Sequence, residues 1–199
     1  MTSLRLRLLV VCLAILVAAC ATTEVKDSWR NPEVGPIHYR KVVALAVTND
    51  AAIRRTVEDE LAKQASRAEV VPAYAFIPDA DLGDVEKVKR LVSEAGFDGA
   101  VVFRIAGTEK KQTYVPGSYT TPTYSLWGYY GNAWSVMASP GYVVTDTYVE
   151  VETRVYSVAD EKLVWAGRSE TLNPGSIREL VDDVAKAVAK DLRAQGLIE

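Results

Sequence analysis

Tyr148-Val149-Glu150-Val151-Glu152-Thr153-Arg154-Val155-Tyr156 alternates side chains of two kinds. A period of two belongs to a strand with one dry and one wet face. Val149, Val151, Thr153 and Val155 point one way, and Glu150, Glu152 and Arg154 the other. The strand extends over 143–158, and a partner strand over 163–171 follows the turn Ala159-Asp160-Glu161, which predicts an antiparallel hairpin. A three-residue turn sets Val155 opposite Trp165 on the inner side and Glu152 opposite Arg168 on the outer side, a register that satisfies both faces. One apolar face in a hairpin requires a cover, and the segments on either side supply it.

Upstream, Val42-Val43-Ala44-Leu45-Ala46-Val47 reads as a buried strand, and Thr48-Asn49-Asp50 feeds a helix cap. Ile53, Val57 and Leu61, with Ala65 and Ala68, recur at helical spacing, which leaves Arg54, Arg55, Glu58 and Asp59 on the wet side. A short strand over 69–72 follows. Val85, Val88, Leu91, Val92 and Ala95 mark a second amphipathic helix, with Gly96 at the position of a left-handed C-terminal cap. The next strand, 99–105, has Arg104 as its one charge. Downstream of the hairpin, Ser176-Ile177-Arg178-Glu179 is a capping box for a helix with the stripe Ile177, Leu180, Val181, Val184, Val188 and Leu192, ending at Gly196. This β-α-β-α-β-β-β-α order predicts an α+β fold of three-layer type. Its single mixed β-sheet is parallel at the crossovers and antiparallel at the hairpin, with helices packed on it.

The first residues specify location. Arg5 and Arg7 precede an apolar run from 8 to 16, and Val17-Ala18-Ala19 leads into Cys20, the layout of a secretory signal. The small residues before Cys20 resemble the lipobox of bacterial lipoproteins, in which the cysteine is acylated with palmitate-type chains and becomes the first residue. The reading divides the chain into a signal peptide (1–19), a lipidated N-terminus and tether (20–40), and one globular α/β domain (41–199) with an aromatic insertion (112–145). Ala21 and Thr22, where Asp would signal inner-membrane retention, point by the same resemblance to the outer membrane, with the domain in the periplasm. Loss of the signal leaves 21 Lys plus Arg against 26 Asp plus Glu, a net charge of −5. Such an acidic domain lacks the basic face that nucleic acid requires.

From 112 to 145 there is no Asp, Glu, Lys or Arg, while Tyr and Trp crowd together. Tyr124, Trp127, Tyr129, Tyr130, Trp134 and Tyr142 are the candidate partner-binding residues, since such side chains give large amphipathic contact area at low entropic cost. The competing reading is a twisted hairpin whose aromatics cover the domain's own sheet. Gly128-Tyr129-Tyr130-Gly131 reads as an aromatic bend. Glu150 and Glu152 could in principle divide acid and base roles as in a glycosidase, but charges on the wet face of a hairpin, with Arg154 and Arg168 beside them, suit ion pairing better. Asp79, Asp81 and Asp84 lack the Gly and Glu of a calcium loop and read as a solvated loop supplying a helix cap. The one histidine, His38, falls in the expected tether. No cofactor, metal site or catalytic set is expected.

The segments Ser28-Trp29-Arg30-Asn31-Pro32, Arg40-Lys41-Val42-Val43, Gly96-Phe97-Asp98-Gly99-Ala100 and Leu163-Val164-Trp165-Ala166-Gly167-Arg168-Ser169 resemble an uncharacterised family of Gram-negative envelope lipoproteins. More distantly, the element order looks like the domains of curli-secretion channel lipoproteins and lipoprotein activators of penicillin-binding proteins. The resemblance implies a lipid-anchored, non-catalytic binding or assembly module, attached to the membrane by its N-terminal lipid and facing an envelope-protein or cell-wall partner. A homo-oligomeric secretion pore is the alternative, and a cell-wall hydrolase a third. Replacement of Cys20 by Ser is expected to abolish incorporation of an alkyne-labelled fatty acid and to move the protein from the membrane to the soluble fraction. Retained label would remove Cys20 as the acylation site.

Overall fold

The alternating run forms the middle of a six-stranded mixed sheet. The computed structural model describes residues 22–64, 68–115, 125–138 and 141–199. In chain order the elements are β1 (Thr22–Arg30), β2 (Lys41–Ala46), α1 (Ala51–Gln64), β3 (Glu69–Pro72), α2 (Val85–Glu94), β4 (Gly99–Val115), α3 (Leu126–Ala138), β5 (Tyr142–Ser157), β6 (Lys162–Leu172) and α4 (Ile177–Ala194). The strands lie in the order β1-β6-β5-β4-β2-β3. β2 pairs in parallel with β3 and β4, and the other neighbours are antiparallel, giving the expected α+β fold, a mixed sheet with helices packed on it.

Three layers result because Val43 and Ala44, adjacent in β2, bury their side chains on opposite faces. Ala44 joins Phe103, Val151, Val155 and Trp165 beneath α1 and α4, while Val43 joins Ala100, Ile77 and Phe97 beneath α2. The caps follow from the sequence. Asp50 Oδ1 accepts from the amides of Ala52 and Ile53 (2.8 and 3.0 Å), and Ser176 Oγ from Glu179 N (3.1 Å). Gly96 and Gly196 take φ of 73° and 68°, the left-handed backbone that ends α2 and α4.

The hairpin register is as expected, Val155 opposite Trp165 and Glu152 opposite Arg168. It arises differently, however. The turn comprises four residues, 158–161, with Glu161 at φ 53°, and an irregularity between Val155 and Tyr156 on the pairing with β6 restores the register. Trp165 is fully buried and its Nε1 donates to Asp191 Oδ2 (2.9 Å). A Cβ on Gly167 would lie 2.3 Å from Trp165 Cη2, so the indole occupies the space that a side chain there would need.

Two expectations are corrected. Within the segment 20–40 expected as a tether, Thr22–Arg30 forms an edge strand on β6, with Thr23 Oγ1 2.7 Å from Thr171 Oγ1. From β1, Ser28 accepts from Gln195 Nε2 (2.8 Å), and Arg30 donates to the carbonyls of Gln195 and Val34, which places a cation at the negative end of α4. Likewise, Arg54 and Glu58 are not wet. They form a buried pair, Nε to Oε1 3.1 Å, in which Arg54 also reaches Asp79 (2.5 Å) and Glu58 accepts from the amides of Ala46 (3.1 Å) and Tyr74 (2.7 Å). A carboxylate becomes tolerable in a core when donors surround it. Glu58→Ala leaves the guanidinium without its buried partner, and the amides of Ala46 and Tyr74 without their acceptor, and is expected to cost about 3–5 kcal/mol in urea denaturation of the domain. A loss below about 1 kcal/mol would place the pair in contact with water.

Candidate functional site

β4 and β5 continue as a ladder past the point where helices cover them. The last buried side chain of β4 is Phe103, and the first of β5 is Val149, yet pairing persists to Val115 opposite Tyr142. The result is an arm two strands wide, with α3 between its strands in sequence. Ser125 begins α3: its Oγ accepts from Gly128 N (3.1 Å), and its carbonyl from Tyr129 N (3.0 Å). Gly128 and Gly131 therefore lie inside a helix, where each costs about 1 kcal/mol relative to Ala, and not in the expected aromatic bend.

Trp127, Tyr130 and Trp134 are spaced by three and four residues, so they share one side of α3. Their rings meet edge to face, with centroids 6.4 Å apart for Trp127 and Tyr130 and 6.2 Å for Tyr130 and Trp134. These contacts leave them in the open. Trp127 is 77% exposed, Tyr129 66%, Tyr130 55%, Trp134 58% and Tyr142 63%, and none belongs to either core. For these five residues, the reading in which the aromatics cover their own sheet is thus overturned. Cys20 and Tyr124 lie outside the described residues. Tyr114, Leu126 and Val143 share the exposure; they are not among the partner-binding candidates, although each falls in the uncharged segment that marks the arm.

The outer face of β4, β5, β6 and β1 is charged and uncovered. Glu152 accepts from Arg104 through Nε (3.0 Å) and Nη2 (2.6 Å), and from Arg154 Nε (2.6 Å). Arg168 pairs with Glu150 (2.8 Å), and Lys26 with Glu24 (2.7 Å) and Glu170 (3.3 Å). The hydrogen bonds from Arg104 and then Arg154 hold the Glu152 carboxyl below its usual range. A general acid in glycoside hydrolysis needs the opposite shift. Trp29, 48% exposed, stands on this same face beside Ala166.

The acidic loop serves structure. Asp84 Oδ1 caps α2 through Lys87 N (3.0 Å), Asp81 pairs with Lys87 Nζ (2.8 Å), and Asp79 binds Arg54. Among the described residues, no group of three or more His, Cys, Asp or Glu is placed to hold a metal ion.

No protein-family model matches the chain, and no curated protein does. Among solved structures it is similar to the PelC dodecamer from Paraburkholderia phytofirmans (TM-score 0.44, 11% identity, 86% of this chain and 96% of that chain). It is also similar to lipoprotein GNA1162 from Neisseria meningitidis (TM-score 0.40, 15% identity, 78% and 99%). The likeness is distant and structural.

Because the Glu152 pKa is lowered in the folded state, its contribution to stability is present above the unfolded-state value and fades as pH falls through the folded one. Carboxyl titration by NMR is expected to place Glu152 below a free glutamate, and Arg104→Ala to move it upward. An unchanged midpoint would show that Arg104 does not hold it.

Proposed function

We propose that this chain is a lipid-anchored, non-catalytic envelope lipoprotein, facing the periplasm from the outer membrane, and that it acts as a binding or assembly module through its aromatic arm. The exposure of Trp127, Tyr129, Tyr130 and Trp134 in the uncharged segment of the arm carries this reading. Keeping so much aromatic surface in water is unfavourable, by about 25 cal/mol per Å² of apolar area, and contact with another envelope component relieves it. The signal and lipobox before Cys20 supply the location, and the ion-paired state of Glu150 and Glu152 supports a non-catalytic role.

The alternative, a subunit of an oligomeric secretion pore, draws on the same arm. Its two strands pair beyond the core, and paired strands are the elements with which several copies would line a membrane passage. Photoreactive residues at Tyr129 and Trp134 are expected to give adducts in cells, whether to protein, glycan or lipid, and to lose them when Trp127 and Tyr130 become Ser. Absence of adducts at both sites would overturn the reading, and adducts solely between copies would favour the pore.

A further inference from the structure

The register of the sheet brings the N-terminus and the arm to one end of the domain. Thr22 is opposite Leu172, Leu172 opposite Tyr148, and Tyr148 opposite Glu109, so the start of β1 is level with the base of the arm. Cys20 precedes Thr22 by two residues, which limits its distance from that level to about 7 Å of chain.

The charge on the arm stops at one height. Lys111 is paired with Asp146, the last charged rung, and the next rung is Gln112 with Thr145. Between Gln112 and Thr145 the sequence contains no ionisable acid or base of the Asp, Glu, Lys or Arg type. Four uncharged rungs, Gln112 to Val115 opposite Thr145 to Tyr142, rise about 13 Å above that boundary. At about 1.5 Å per residue, the 13 residues of α3 extend about 20 Å, short of the roughly 30 Å of a hydrocarbon core. No helix among the described residues is long and apolar enough to cross a membrane. Exposed Trp and Tyr on an uncharged short helix suit the headgroup boundary, where an aromatic ring buries its body and keeps its polar tip wet.

From this placement we infer that the arm docks on the lipid bilayer that holds the acyl chains of Cys20, with the rung Lys111–Asp146 at the water side and Trp127, Tyr130 and Trp134 in the interfacial layer. The inference rests on the lipid-anchored reading above and names the arm's partner. Several acyl chains already make attachment firm, so the arm's contribution is to fix the domain's orientation on the bilayer. The anchor keeps the arm beside the bilayer at a high effective concentration, so modest affinity is enough.

The chain's four tryptophans provide the test. Trp165 is buried, and Trp29, opposite Ala166 and thereby level with Arg154 and Val102, lies about 30 Å below the Gln112 rung. The acylated, signal-processed protein is reconstituted in phosphatidylethanolamine–phosphatidylglycerol vesicles whose acyl chains carry bromine at defined depths. The emission of Trp127 and Trp134 is expected to be quenched, most by bromine near the headgroups, while Trp29 and Trp165 are spared. The variant with Trp127→Phe and Trp134→Phe should then show no quenching, and its unchanged Trp165 emission reports an intact fold. Unquenched Trp127 and Trp134 in the parent protein overturn the inference. If cellular adducts from Tyr129 and Trp134 are nevertheless to a protein or to a second copy, the arm remains the contact surface and only the lipid assignment fails. Without adducts or quenching, both readings fall.

Discussion

The antiparallel ladder between β4 and β5 is the constraint on which this molecule is built. It runs from Gly99 opposite Ser157 to Val115 opposite Tyr142, with one irregularity between Ile105 and Gly107, and so a single strand pair serves two environments. Its lower half lies under α1 and α4, where Phe103, Val151 and Val155 are dry. Its upper half has no such cover among the described residues: beyond the end of β6 the two strands pair only with each other, and the backbone groups on their outer edges are left to solvent. A strand of ordinary length would have ended with the core. α3, which follows the extra rungs in sequence, contributes to neither hydrophobic cluster.

The lower half tolerates little change because its contacts are specific as well as apolar. Glu58 is a carboxylate with no exposure, held by Arg54 and by the amides of Ala46 and Tyr74, so α1, the end of β2 and the turn after β3 share one charge. Trp165 fills the space above Gly167 and donates to Asp191 of α4. Two polar tethers thereby fix the two helices over one face of the sheet, where apolar contact alone would permit sliding.

Elements with a strong period were legible in the sequence: β2, α1, β3, α2, the β5–β6 hairpin and α4 are close to where periodicity and caps put them. The hairpin register was right although its turn is one residue longer than expected, since the irregularity near Val155 compensates. Local pattern had no access to the rest. Arg54 and Glu58, spaced by four, look like any solvent-facing helix pair until the turn carrying Tyr74 and Ile77 closes over them. β1 reads as polar because it is an edge strand, with Glu24, Lys26 and Asp27 exposed. The glycines of α3 obscured a helix that its capping Ser125 begins. For the arm, absence of charge over 112–145 marked the segment, but whether its aromatics turned inward depended on a ladder length that no local signal specifies.

β1 also bears on the order in which such a chain is made. Its partner is β6, with Thr22 opposite Leu172, so the sheet's first strand waits for nearly its last. On the lipid-anchored reading proposed above, export N-terminus first would present Cys20 for acylation while β1 still lacks its partner strand. Pairing over so long a loop is slow. That delay would give such a maturation its window, after which β1 on the sheet and Arg30 on the end of α4 would leave a lipid on Cys20 almost no slack.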